Sequence, residues 1–177
     1  MMSNANPGMA MVVAALLFGG VASAATAADN PSIEARLRAL EDRQAIERVL
    51  MEYGRSLDNR DFATYSNLFA QNGEWNGGTG VFRGPAAIKA GMEKSFGAAT
   101  DIPKGSNFHI LTNAIIDLNG DRATAVSKWA FMRVVEGKPQ IAMTGRYEDE
   151  FVRERGAWKI LTRKAPADSS PAALQTK

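Results

Sequence analysis

Apolar residues recur at three- and four-residue intervals from Ile33 through Leu37 and Leu40, and again through Ile46, Val49, Leu50, Tyr53 and Leu57. This spacing gathers them along one side of a helix and leaves the charged residues on the other. Pro31-Ser32 supplies an N-cap. A change of phase near residues 40–43 predicts a kink or two consecutive helical segments, and Asp58-Asn59-Arg60-Asp61 ends the run with turn-prone residues. A second, short helix is predicted over residues 62–69, with Asp61 as its N-cap because a cap precedes the first apolar-periodic residue. Asp58 is left without a structural duty beyond that of a solvated turn residue.

The period then changes. Glu74-Trp75-Asn76 and Val81-Phe82-Arg83 flank Gly77-Gly78-Thr79-Gly80 and predict a small hairpin. Gly84-Pro85 opens a third helix, with Pro in the first turn, where its missing N–H is not needed, and Ile88, Met92 and Phe96 as its buried stripe. Residues 97–105 read as a flexible segment able to act as a lid. Beyond them, Asn119-Gly120, Glu136-Gly137-Lys138-Pro139 and Arg155-Gly156 separate strand-like runs at 107–118, 122–135, 140–153 and 158–163. Short turns force antiparallel neighbours, so the second half reads as a four-stranded meander. The Pro-, Ala- and Ser-rich tail, residues 165–177, reads as disordered.

Helices followed by a long meander give the fold class α+β, with helices on one face of a strongly bent sheet. A curled sheet leaves a pocket wherever the helices do not fill its concave side. Period-two alternation puts His109, Leu111 and Asn113 on one face of the first long strand, and Ser127, Trp129, Phe131 and Arg133 on one face of the next. Alternation alone does not say which faces look inward, since both carry apolar residues; we expect His109 to point into the concavity.

Composition narrows the possible functions. A length of 177 residues suggests one domain, and 45% hydrophobic with 23% charged residues is ordinary globular usage. The net charge is +2, and both signs alternate through residues 34–60, which argues against nucleic acid as a partner. The glycine run lacks the phosphate-loop order and precedes a strand, which argues against nucleotide binding. Residues 9–21 form an apolar run too short to span a membrane and are followed by Ala22-Ser23-Ala24 and Ala25-Thr26-Ala27, so residues 1–27 read as a secretory signal whose removal leaves a soluble domain over 28–164, periplasmic or secreted, with no membrane attachment. The first eight residues carry no Lys or Arg, a departure from the usual signal. With one His and no Cys, no metal site and no cofactor are expected.

That single histidine draws most of the chemistry to itself. An imidazole exchanges protons near neutral pH, although a lone His in an apolar strand is equally read as a packing residue with one satisfied hydrogen bond. The three tryptophans, Trp75, Trp129 and Trp158, line either an apolar pocket or the core. Arg146 and Arg163 are candidates to pair with an anionic substrate, with strand-surface pairing to Glu148 or Glu150 the simpler reading for Arg146.

The runs Leu40-Glu-Asp-Arg-Gln-Ala-Ile46, Tyr53-Gly-Arg-Ser-Leu-Asp58, Asp61-Phe62, Leu68-Phe69, Gly73-Glu-Trp75, Phe82-Arg-Gly84-Pro85, His109-x-x-x-Asn113, Gly145-Arg146-Tyr147 and Trp158-Lys159-Ile160 occur in an order and spacing that resembles the SnoaL-like branch of the nuclear transport factor 2-like superfamily. The resemblance spans residues 33–163. It implies a cone-like α+β barrel, a strongly curved mixed or antiparallel sheet with three N-terminal-half helices on its concave face, one deep pocket and a homo-oligomer. Scytalone dehydratase and hexachlorocyclohexane dehydrochlorinase in this superfamily use an Asp at the end of the first helix and a His at the start of the long strand. The matching positions are Asp58 and His109. Tyr53 falls where related isomerases carry an oxyanion-stabilising tyrosine, and where the dehydrochlorinase has a lysine. The second histidine of scytalone dehydratase has no counterpart, Phe131 and Met132 lying near its place; the aspartate of ketosteroid isomerase, near Asn76-Gly77, is absent. The resemblance thus implies a cofactor-free lyase or isomerase with Asp58, His109 and Tyr53 as catalytic residues, and Trp75, Asn113, Trp129, Phe131 and Arg146 around a small, largely apolar substrate. A binding protein for a hydrophobic ligand, or an association domain without a working pocket, are the other functions this fold supports.

Overall fold

One unbroken helix, α1 (Ile33–Asp58), occupies the first periodic stretch, capped by the Ser32 hydroxyl, which accepts from the Ala35 N–H at 3.2 Å. The computed structural model describes residues 1, 30–97, 105 and 107–169; the expected signal sequence after Met1, nearly all of the expected lid and residues 170–177 lie outside them. The phase change near residue 40 marks no break in this helix. Ile46, Leu50, Tyr53 and Leu57 are buried against the sheet, whereas Ile33, Leu37 and Leu40 stay exposed. At about 100° per residue the two stripes lie on opposite sides of the same helix.

Asp61 caps α2 (Phe62–Asn67) as expected, its Oδ1 accepting from the Thr64 N–H at 3.0 Å. The helix stops before Phe69 because that residue already opens a strand, β1 (Phe69–Gly77), which turns back through β2 (Gly80–Arg83). Pro85 then begins α3 (Pro85–Phe96), which buries Ile88 and Met92. The meander follows as β3 (Asn107–Asn119), β4 (Arg122–Val135), β5 (Lys138–Glu154) and β6 (Ala157–Ala165). Asn119 pairs with Arg122, so the two loop residues of the first hairpin are Gly120 and Asp121, one position later than expected. Glu136-Gly137 and Arg155-Gly156 form two-residue turns with both members at positive φ, the geometry that matches strand twist.

These six strands form one sheet of order β2-β1-β6-β5-β4-β3. β1 joins β6 in parallel, a pairing invisible in local sequence because partners such as Phe69 and Ile160 lie about ninety residues apart. The tail expected to be disordered instead begins with β7 (Ala167–Ser169), which pairs with β5 near Thr144 and Gly145. Tyr53, Tyr65, Phe69, Ile88, Phe151 and Ile160 form the centre of the core between helices and sheet. Among the described residues no helix is long and apolar enough to cross a membrane.

Candidate functional site

Asp58 closes α1, and this position explains what its side chain does. A carboxylate at the negative end of a helix dipole opposes the helix by about 0.3–1 kcal/mol, so the residue needs a partner elsewhere. It finds one at the start of β3. Asp58 Oδ2 accepts the backbone N–H of His109 at 2.9 Å, and Oδ1 lies 2.6 Å from His109 Nδ1. The carboxylate grips main chain and ring together, which fixes the imidazole's orientation. With Nδ1–H given to the carboxylate, Nε2 is the ring nitrogen with a free lone pair. The ring leans on Phe131, its cross-strand partner in β4, at a centroid distance of 4.8 Å. Both members of the pair are largely buried, with side-chain exposures of 13% and 21%.

His109 lines a cavity of about 770 Å³ on the concave side of the sheet. Such a volume suits a drug-sized or smaller molecule. Its walls are rich in aromatic rings: Tyr53, Tyr65 and Trp75 from the helices and β1, Trp129, Phe131 and Tyr147 from β4 and β5. Phe96, Met143 and Leu57 add apolar surface, and the polar groups are few, with Asn76, Thr79, Arg146, Glu148 and Lys164 among them.

Tyr53 has the most constrained hydroxyl in this wall. It accepts a hydrogen bond from the Tyr65 hydroxyl at 2.8 Å and another from the Trp75 indole N–H at 3.1 Å. A phenol has two lone pairs and one proton; with both lone pairs used, its proton is the part left to offer. Burial, reinforced by the neighbouring Tyr53, pushes the Tyr65 and Tyr147 phenols well above their ordinary value, so both stay neutral. Beneath them the Arg163 guanidinium lies 3.8 Å from the Tyr53 ring centroid and 4.2 Å from that of Tyr147. It is fully buried and forked onto Asp149 at 2.7 and 2.6 Å. Burial opposes the charge, but the Asp149 carboxylate more than compensates and holds Arg163 firmly protonated. Arg163 is thus committed to the core and does not reach a substrate.

The other expected site residues divide. Trp75, Trp129 and Phe131 line the cavity, and the Trp129 indole donates to the Arg146 carbonyl at 3.1 Å. Arg146 reaches the rim, where Glu148 (2.9 Å) and Asp168 of β7 (2.5 Å) occupy its guanidinium. It therefore ties the chain end to the sheet. Asn113 does not line the cavity: β3 shifts register between Thr112 and Ile115, Asn113 takes φ +56°, and its exposed side chain accepts from Thr112. The bulge breaks the alternation that placed Asn113 beside His109, and buries Ile116 where Ile115 stays exposed. Trp158 also lies away from the cavity, donating to Asp42 at 3.1 Å beneath Arg153.

Several wall residues carry no local signal. Tyr65 looks like an ordinary helix-face tyrosine until Tyr53 and Trp75 meet it. Ala165, Pro166 and Ala167 close part of the mouth, and their composition had suggested only a loose tail. Gly145 is the hidden requirement: a Cβ there would sit 2.4 Å from both the Pro166 carbonyl oxygen and the Trp129 ring. Among the described residues no group of three His, Asp or Glu side chains could hold a metal ion.

The model of the SnoaL-like domain family matches residues 38–164, and the chain belongs to that family. No curated protein matches the sequence. Among solved structures, an NTF2-like protein with a cystatin-like fold from Novosphingobium aromaticivorans is 29% identical, with a TM-score of 0.69 over 80% of this chain and 92% of that one. A protein assigned as a scytalone dehydratase from the same organism is 23% identical (TM-score 0.63; 76% and 89% covered). A type 2 hexachlorocyclohexane dehydrochlorinase is 19% identical (TM-score 0.61; 76% and 90% covered). The last two likenesses show the shared cone-like fold.

Proposed function

We propose that this SnoaL-like protein is a cofactor-free lyase or isomerase in which His109 takes a proton from a carbon atom of a small, largely apolar molecule. The observation that carries the reading is the double grip of Asp58 on the His109 ring and backbone beside an aromatic cavity. Neutral His109 accepts the proton at Nε2, while Asp58 keeps Nδ1–H in place and stabilises the imidazolium as it forms. The Tyr53 hydroxyl, with both lone pairs occupied, donates to a substrate oxygen on which negative charge accumulates.

This division of labour favours a substrate with an apolar, flat body and an oxygen on the carbon next to the acidic C–H. If a hydroxyl or halide sits one carbon further on, its departure with the bonding electron pair leaves a double bond, and the reaction is an elimination. Otherwise His109 returns the proton to another carbon and the double bond moves. The base alone supplies about a hundred- to ten-thousandfold, so orientation by the aromatic walls and the Tyr53 hydrogen bond must supply the rest.

A panel of apolar ketones and β-hydroxy or β-halo carbonyl compounds, ranked by thermal stabilisation and incubated in D₂O, tests the reading by mass spectrometry. Wild type should exchange or eliminate the acidic C–H of a stabilising compound. His109→Gln should lose at least about a hundredfold in that rate while still binding. Undiminished exchange in His109→Gln overturns the assignment. A compound that binds tightly yet never exchanges or reacts would instead make the protein a carrier of hydrophobic ligands.

A further inference from the structure

The second apolar stripe of α1 has no use in the pocket chemistry. Residues 33–41 are exposed on every side of the helix, so about 13 Å of it projects beyond the packed body. Ile33, Leu37 and Leu40, exposed by 76%, 53% and 65%, alternate in steps of four and three, the spacing of a coiled-coil seam. Placed at the seam, they put Glu34 and Glu41 on one flank and Arg36 and Arg43 on the other. Asp42 falls opposite the seam, where it is bonded to Arg153 and Trp158 of its own sheet. The body thus lies behind the helix, and the stripe is open to a second chain.

We infer that the projecting part of α1 is a docking surface for a second copy of this chain, paired in parallel and in register. The charges decide the occupant and the direction. In a parallel pair the flanking residue of one helix faces the residue five positions further along in the other, so Arg36 meets Glu41 of the second copy twice over. An antiparallel pair would set Arg36 against Arg36 and Glu34 against Glu41. Among the described residues neither Arg36 nor Glu41 has an ion-pair partner within its own chain. Glu47, at the next seam position, would face its own copy and ends the seam after Gln44. The interface is short, so the dimer dissociates on dilution.

The absence of cysteine makes the test clean. Ile33→Cys, Leu37→Cys and Leu40→Cys, made singly in the full chain and oxidised, should each form a covalent dimer with itself. Sedimentation over a concentration series should show a reversible dimer that Arg36→Glu weakens at least tenfold and that Arg36→Glu/Glu41→Arg restores. An unchanged thermal midpoint identifies folded variants. Cross-linking of Ile33→Cys only to Leu40→Cys would overturn the parallel arrangement. A wild-type chain that stays monomeric, or a dimer untouched by Arg36→Glu and by the cysteines, would overturn the docking surface and leave the stripe to another occupant, such as residues 2–29.

Discussion

Replacing Asp149 by Ala, Arg163 by Met, and both together by Leu and Met separates what the buried ion pair contributes from what it costs. Both side chains have zero exposure, and the fork between them closes at 2.7 and 2.6 Å. Removing either partner strands the other in the core, which costs about 3–5 kcal/mol. Global stabilities are about 5–15 kcal/mol, so each single change removes a large share. At about 2–4 °C per kcal/mol for a domain of this size, the thermal midpoint should fall by about 6–20 °C. The pair itself is incompletely satisfied, since Arg163 Nη1 is buried without a partner, a deficit of about 1–3 kcal/mol. The double variant removes that deficit along with both charges, and should lie within about 1 kcal/mol of wild type. Urea unfolding followed by tryptophan fluorescence reads all three. Single variants that each cost under about 1 kcal/mol, or a double variant as unstable as the sum of the singles, would refute the reasoning.

Three other outcomes follow from the site and its supports. Gly145→Ala forces a methyl against the Trp129 ring and the Pro166 carbonyl; it should destabilise the fold by about 1–3 kcal/mol and weaken any pocket ligand, and unchanged denaturation and affinity would count against the close approach. Tyr53→Phe removes the proton offered to substrate and leaves the Tyr65 hydroxyl and Trp75 N–H without their acceptor; turnover should fall at least tenfold with little change in the affinity of an oxygen-free apolar ligand, and equal losses in both would reduce Tyr53 to packing. Burial pushes the Asp42 carboxyl up, but hydrogen bonds from Arg153 and Trp158 and the charges of Arg153 and Arg38 win and hold it below its ordinary 3.8. A depressed folded value means that its stabilisation is present above about pH 4 and lost as pH falls through the folded value. Asp42→Asn should therefore cost about 1–3 kcal/mol at pH 7 and less at pH 3; an equal deficit at both would show the charge to be irrelevant.

Local interactions made much of this structure legible in advance. The Asp61 cap, the Pro85 helix start, the glycine-containing turns and the two long hairpins depend on residues a few positions apart. The Asp58 and His109 positions were legible for a different reason: Asp61 already satisfied the cap, which left Asp58 idle, and the family motifs supplied its partner. Asn113 was misplaced because one bulge reverses a period-two argument for every residue up to the next correction. The Arg146–Glu148 pair was legible from two residues on one strand face, but Asp149 as the partner of Arg163 and Asp168 as the second partner of Arg146 were hidden, because they are chosen by strand register and by a segment that composition marks as coil. The change of phase in α1 was legible but its meaning was not, because periodicity reports that a face is apolar, not what covers it.

The strand order carries a consequence for how the molecule comes into being. β6, the last long strand, lies between β1 and β5 and joins the sheet's two halves. A ribosome delivers the β1–β2 hairpin early, yet it has no neighbouring strand to join until residues 157–165 have emerged. Its inner face must wait for a strand distant in sequence, a long-range pairing that makes completion of the sheet slow. The sheet of this domain therefore cannot be completed before β6 has emerged, and any partial product ending before β6 is a candidate for chaperone capture.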